Sequence, residues 1–347
     1  MEKITYLIGA GFSAIAGLPV MSNFIVKAKD LYYSDKEKYK SFRPIFDRID
    51  ELGKLKTYFN SDLLNIEELL SIYDMESTLE SSRKKDTFSS FIIEVINSYS
   101  FKSENIEHDK PSNWLDFVYG KSTIHKNITA FASSIFQLEF FDQPASTIEL
   151  AFRTRKINSN INYSIISLNY DTILESAVQS VSNGYNSNII FEKEQYLDDW
   201  TIPMLFKLHG DIEKGKIIPP TWSKSIKDDM KNIWRNAFEV LKNSTQIRFL
   251  GYSLPISDTY FQYFLKASIK NNPYLKNVDI LCLDRNNSVE NRYRNVFSFR
   301  DLRFINGNIS KYCEELWKKE SHDYSRKTEK CNRLESVHSK FFEERII

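Results

Sequence analysis

The run Ile4-Thr5-Tyr6-Leu7-Ile8-Gly9-Ala10-Gly11-Phe12-Ser13-Ala14 constrains this chain more than any other stretch. Apolar and β-favouring residues run into Gly9, Gly11 follows, and the small Ala14 closes the pattern. The spacing predicts a strand, a tight turn and the start of a helix. In such a turn the backbone can approach a pyrophosphate, and the amides at the helix N-terminus attract its charge. The same pattern also makes an ordinary strand-to-helix turn that binds nothing. Which of the two it is depends on what the rest of the chain brings to the same sheet edge.

More β-α units follow, after a long interval of different texture. Tyr163–Leu168, Met204–Leu208, Ile247–Leu250, Val278–Leu283 and Leu302–Ile305 are strand candidates, most of them leading into helical stretches. Between residues 22 and 158 helical spacing dominates, as in Ile66, Leu69, Leu70, Tyr73 and in Phe88, Phe91, Ile92, Val95. The expected fold is therefore α/β: a Rossmann-like, mostly parallel sheet flanked by helices, with a large helical insertion. Residues 1–21 and 159–310 form the sheet domain, 22–158 the insertion, and 311–347 a charged helical tail. The tail is expected to be solvated, or to dock a partner through Phe341 and Phe342.

Composition closes off several functions. At 41% apolar and 27% charged residues, the chain of 347 residues can bury a full core. A net charge of +1 gives no global attraction to nucleic acid, and direct nucleic-acid binding is not expected. Cys282, Cys313 and Cys331 form no C-x-x-C pair, so neither a disulfide framework nor a structural zinc site is expected. No basic-then-apolar leader precedes the first strand and no apolar run is long enough to span a bilayer, so a cytoplasmic location is expected.

The polar residues fall in one kind of place. Gly9-Ala10-Gly11, Asn169-Tyr170-Asp171, His209, Gly251-Tyr252-Ser253 and Asp284 each stand just past the C-terminal end of a strand candidate. That edge is where open parallel sheets bind ligands. His209 is either a turn histidine or a general base suited to neutral pH. Asn169 and Asp171 are either helix-capping residues or a polar pair that orients a water or ribose hydroxyl and binds a developing cation. Set against a dinucleotide turn, Asn, Asp and His suit cleavage of a glycosidic bond. Asp30 lies roughly 20 residues past the glycines, where a dehydrogenase places its ribose-binding acid. Its surroundings, Lys27-Ala28-Lys29-Asp30-Leu31, read as a charged helix, so Asp284 is the better ribose ligand.

These motifs together resemble the sirtuin-like (silent information regulator) superfamily, and within it the prokaryotic domains that hydrolyse NAD in antiphage defence. The resemblance is carried, in the family's order, by Gly9–Ser13 with Ala16-Gly17-Leu18-Pro19, Asn65–Leu70, Leu168-Asn169-Tyr170-Asp171, Lys207-Leu208-His209-Gly210, and Gly251-Tyr252-Ser253-Leu254 with Asp258. It implies that Gly9, Ala10, Gly11, Phe12 and Ser13 hold the pyrophosphate. Asn169 would order the attacking water or the nicotinamide ribose, Asp171 would lie near the nicotinamide, and His209 would act as general base through the ribose hydroxyls. Gly251, Ser253 and Asp284 would line the adenosine half, with Tyr252 and Asp258 counted among the nucleotide-binding residues.

The departures from the protein-deacylating members are equally specific. Their zinc ribbon of two C-x-x-C pairs is missing, Leu168 stands where they carry glutamine, and Ile217-Ile218-Pro219-Pro220 replaces part of their acyl-lysine channel. Asp211 replaces the usual small polar residue after His-Gly. Water then becomes the expected acceptor, and NAD the substrate, giving nicotinamide and ADP-ribose with no zinc required. The resemblance further implies a homo-oligomer restrained until activated, with a DNA-translocating hexameric ATPase or an Argonaute as the kind of partner. The segment after Gly120 and the charged tail are the expected contact surfaces. A non-catalytic NAD or ADP-ribose sensor and an NAD-dependent deacylase are the alternatives.

Overall fold

The computed structural model describes residues 1–55, 65–80, 84–100, 119–120, 122–136, 138–142, 152–156, 160–183, 203–218, 228–297, 301–326 and 333–343. The chain begins with β1 (Glu2–Ile8), a four-residue α1 (Ala10–Ser13), α2 (Phe24–Ser34), α3 (Arg43–Leu55), α4 (Ile66–Glu80) and α5 (Lys84–Tyr99). Next come α6 (Thr123–Ile135), β2 (Leu138–Asp142), β3 (Phe152–Lys156), β4 (Ile161–Ser167), α7 (Ile173–Asn183) and β5 (Met204–Lys207). Two short strands, β6 (Gly210–Asp211) and β7 (Lys216–Ile217), precede α8 (Asp228–Lys242), β8 (Gln246–Leu250), α9 (Thr259–Lys270) and β9 (Asn277–Cys282). The described chain closes with α10 (Ser288–Val296), β10 (Asp301–Asn306), α11 (Ile309–Arg326) and α12 (Arg333–Glu343).

Six strands form one parallel sheet in the order β10-β9-β8-β1-β4-β5. Numbered along the sheet alone, this is the doubly wound order in which the connections reverse direction beside the first strand. The crevice at that reversal lies between the C-terminal ends of β1 and β8. All six expected strands are present, and the sheet is wholly parallel.

Helices cover both faces, which is why the strands read as unbroken apolar runs. Alternate residues are sorted to opposite sides. Ile4, Tyr6 and Ile8 join one core with Phe131, Tyr163, Ile165 and Tyr312, whereas Leu7 joins the other with Ile166, Phe206, Trp234, Phe249 and Ile280. Tyr6 and Phe12 pack on Phe131 of α6 with ring centroids 5.6 and 5.0 Å apart.

The middle of the chain is more than a set of helices. β2 and β3 pair antiparallel as a hairpin within the stretch read from sequence as helical. Phe152-Arg153-Thr154-Arg155-Lys156 has a single apolar residue, so no period-2 alternation marks it as a strand in the sequence. The described helices of residues 22–158 also share one continuous core with β1 and β4. Asp30 is exposed on α2, away from any strand end.

In the two segments expected to meet partners, the described apolar side chains pack on the chain's own core. After Gly120, α6 buries Ile128, Phe131 and Ile135 under the sheet. Phe341 and Phe342 are buried against the chain's own core, Phe342 stacking on His338 at 4.4 Å. The tail's charge pattern concealed one buried stripe, Leu334, Val337, His338, Phe341 and Phe342, at helical spacing.

A row of polar side chains crosses the sheet beneath α12. Tyr6, Arg248, Asp279 and Arg303 are register neighbours on four adjacent strands. Arg248 meets Glu335 of α12 through two parallel hydrogen bonds and donates a third to the Tyr6 hydroxyl, 2.8 Å away. Asp279 accepts two hydrogen bonds from Arg303, and its Oδ2 lies 2.9 Å from His338 Nε2. Burial, joined by the charge of Arg248, pushes His338 down to about 4, against the pull of Asp279. Burial would raise the Asp279 carboxyl, but hydrogen bonds from His338 and Arg303 outweigh it and hold Asp279 well below its ordinary range.

Candidate active site at the C-terminal edge of the sheet

The turn after β1 is built on contact with the turn after β8. Gly9 N–H donates to Leu250 O at 3.0 Å, Gly11 N–H to Gly251 O at 2.9 Å, and Phe12 N–H to Gly9 O at 2.9 Å. A Cβ on Gly9 would come within 2.6 Å of Tyr252 Cα, and one on Gly11 within 2.9 Å of Gly251 Cα. The glycines are therefore required by backbone-to-backbone packing, whether or not a phosphate binds. Three of the amides expected to face a pyrophosphate are already donating within the protein. Ala10, at the first position of α1, is exposed, while the Phe12 side chain is core.

Ser13 reaches from this turn to the loop after β4. Its Oγ donates to Asp171 Oδ2 at 2.5 Å and accepts from Asn169 Nδ2 at 2.8 Å. Asn169 Nδ2 also donates to Gly9 O at 2.9 Å. Asp171 Oδ1 accepts the Ile173 N–H at 3.2 Å, which fixes the start of α7. Thus Ser13, Asn169 and Asp171, distant in sequence, form one buried hydrogen-bonded group. The Asp171 carboxylate thus caps α7 through one oxygen and accepts the Ser13 hydroxyl through the other.

His209 follows β5 and is held from several sides. Its carbonyl accepts the Ile218 N–H at 2.9 Å, and Trp234 Nε1 donates to the neighbouring Leu208 O at 3.1 Å. The Trp234 and Tyr170 rings lie 6.3 and 6.2 Å from the imidazole. His209 Nε2 is 3.8 Å from Asp258 Oδ2, and both side chains are buried.

The remaining expected residues stand at the same edge with intramolecular duties. Tyr252 OH donates to Asp258 Oδ2 at 2.8 Å, and Asp258 Oδ1 accepts the Phe261 N–H at 3.3 Å as the cap of α9. Ser253 O accepts two hydrogen bonds from Arg292 of α10. Leu254 carries a positive φ of 49°, a left-handed conformation that a side chain disfavours. Asp284 accepts the Asn286 and Glu290 N–H groups at 3.3 and 2.9 Å, so its carboxylate organises its own turn.

Two residues with no role assigned from sequence belong to the site's support. Lys207, at the end of β5, is 2% exposed; its Nζ lies 2.8 Å from Glu175 Oε1 and donates to the Asp171 carbonyl. Burial raises the Glu175 carboxyl above its ordinary range despite the nearby lysine. The signal was available in Met204-Leu205-Phe206-Lys207-Leu208, where a lysine interrupts an apolar strand.

At the opposite end of the sheet a cavity of about 660 Å³ is lined by Gln246, Asn277 and Asp301, which begin β8, β9 and β10, and by Arg294, Arg303 and Ser339. It is separate from the group around Asn169. Among the described residues no cluster of three or more His, Cys, Asp or Glu could hold a metal ion. Cys282 and Cys313 are buried free thiols, and Cys331 lies outside the described residues. Among the described residues, no single helix is long and apolar enough to cross a membrane.

A family model described as SIR2-like domain matches residues 163–335. The match starts within β4, takes in Asn169, Asp171, His209 and Asp258, and ends on Glu335 of α12. A search of curated proteins found no match to the chain.

Proposed function

The chain carries a SIR2-like domain over residues 163–335, and from that premise we propose that it is an NAD+ glycohydrolase releasing nicotinamide and ADP-ribose. A SIR2-like domain fits an NAD-related enzymatic or binding function, and hydrolysis is the finer step. The observation that carries this step is the single hydrogen-bonded group of Ser13, Asn169 and Asp171, at the same sheet edge as His209. As the bond from ribose C1′ to nicotinamide breaks, the sugar becomes cation-like. Asp171 supplies negative charge near it, Asn169 offers its amide oxygen to orient water, and His209 takes a proton through a ribose hydroxyl. Water adds to C1′ as nicotinamide leaves.

Burial supports restraint of the activity. Asn169, Asp171 and His209 are 7%, 8% and 3% exposed. Their edge must open before a dinucleotide reaches them. We therefore propose that an assembly state or a partner opens the site. By the family resemblance, the protein acts as an oligomeric cytoplasmic effector of antiphage defence, beside a DNA-translocating ATPase or an Argonaute.

One observation favours the alternative of a non-catalytic sensor. Both hydrogens of the Asn169 amide and both oxygens of the Asp171 carboxylate are engaged within the protein. Incubation with NAD, with and without the protein encoded alongside, followed by chromatography of nicotinamide and ADP-ribose, separates the two. The hydrolase releases both products and loses them in Asn169→Ala and His209→Ala. NAD binding with no release under any activating condition supports the sensor, and release that requires an acetylated peptide supports a deacylase.

A further inference from the structure

Asp258 stands in the sequence as a nucleotide-binding residue, yet both of its carboxylate oxygens accept hydrogen bonds from the protein itself. Its side chain is 1% exposed. Oδ1 accepts the Phe261 N–H and Oδ2 accepts the Tyr252 hydroxyl. His209 Nε2 also lies 3.8 Å from Oδ2. That distance is longer than a hydrogen bond and within the range where an opposite charge acts on an ionisable ring.

The arrangement around the carboxylate is rigid. Tyr252 is fixed edge-on to Phe261 with ring centroids 5.4 Å apart, and its carbonyl accepts the Tyr293 hydroxyl at 2.7 Å. On the other side the backbone of Leu208 and His209 is tied to Trp234 and Ile218. Among the described residues, Tyr170 after β4 and Asp258 at the start of α9 approach the imidazole, and Tyr252 after β8 is hydrogen-bonded to that Asp258 carboxylate. Tyr260 lies behind Trp234, its ring 5.3 Å away. Of these groups Asp258 is the acid.

We propose that Asp258 is the positioning residue of His209, holding the ring's Nε2 side and stabilising the imidazolium formed when the ring takes a proton. The inference rests on the hydrolase reading for its catalytic consequence, though not for the pairing itself. In the reaction a ribose hydroxyl passes its proton to Nδ1 and regains one from the attacking water as the water adds to C1′, while Nε2–H remains turned to the Asp258 carboxylate. Asp258 neither touches the substrate nor gains the proton. A carboxylate, an imidazole and a substrate hydroxyl in series is the general logic by which a third group orients a base.

The test is the titration of His209 itself. The chain has five histidines, and in ¹³C-histidine-labelled protein His209→Gln identifies the signal. Asp258→Asn keeps an oxygen for the Phe261 N–H and a polar group for Tyr252 while removing the charge. Asp258→Ser, another good helix cap, is the second variant should the first fail to fold. The expected result is a His209 pKa lower by about 1 unit or more in either variant. In the active assembly, kcat falls with KM little changed, and the acid limb of the pH–rate profile moves down by the same interval. A His209 titration unchanged in the variants overturns the pairing, and so does a loss confined to KM, which marks a nucleotide contact. A wild-type protein that never releases nicotinamide defeats the hydrolase reading, while the titration still decides the pairing.

Discussion

Arg248 and Glu335 face each other through two parallel hydrogen bonds, Nη1 to Oε1 at 2.7 Å and Nη2 to Oε2 at 2.6 Å. The arginine is buried at the middle of β8, and the glutamate comes from α12. The pair ties the last described helix to the centre of the sheet. Removing only the glutamate leaves a buried guanidinium without its counter-charge, which costs about 3–5 kcal/mol. Glu335→Ala is therefore expected to lower the urea midpoint sharply and to expose α12 amides to hydrogen exchange first. Replacing both partners with apolar residues of similar volume is expected to recover most of the loss.

The same face makes stability depend on pH. The His338 value is depressed in the folded state from 6.5 to about 4, so the unfolded chain binds the extra proton first. The stability from His338 is complete above pH 6.5 and is lost as pH falls toward 4, at a limiting slope of about 1.4 kcal/mol per pH unit. Asp279, also depressed, adds a second loss below its ordinary value of 3.8. Chemical denaturation between pH 7 and 4 is expected to show this slope in the wild type and a much flatter one in His338→Gln.

Ser13 is the hinge pin of the candidate site. In Ser13→Ala, Asp171 Oδ2 loses its donor and Asn169 loses an acceptor. An unsatisfied buried polar group costs about 1–3 kcal/mol. A lower melting temperature is expected, together with loss of nicotinamide release. Full activity in this variant would show that the group's connection is structural alone.

Two glycines with positive φ separate conformational cost from crowding. Gly17, at φ 84°, has open space around a would-be Cβ, so Gly17→Ala is expected to cost only about 1 kcal/mol. At Gly251, φ 68°, a Cβ would fall 2.5 Å from Phe12 N and 2.6 Å from Ile309 Cδ1. Gly251→Ala is expected to cost several times more and to force the β1 and β8 turns apart, measured by thermal melts and by NAD binding.

Much of the sheet was legible from sequence because buried parallel strands leave a plain mark: short apolar runs ending in glycine or polar residues. The edge location of Asn169, Asp171 and His209 followed from those ends. What the sequence could not supply was partnership. Nothing local says that Ser13 bridges Asn169 and Asp171, or that Asp258 turns to His209, because each contact joins residues brought close only by the winding order. The charged tail misled for a related reason. Its Lys and Glu residues dominate a linear reading, whereas the periodicity of Leu334, Val337, His338, Phe341 and Phe342 matters only once a sheet lies beneath it.

The position of β1 at the centre of the sheet has a consequence for synthesis. Its neighbours are β4 and β8, and contacts such as Asn169 to Gly9 and Arg248 to Tyr6 span 160 and 242 residues. Such a high contact order means slow folding, with the first strand waiting on the ribosome for partners not yet made. The Gly9–Gly11 turn that packs against Asn169 cannot take its final shape on a nascent chain before β8 emerges. As the proposed hydrolase, the chain would be inert on the ribosome until β8 has been made.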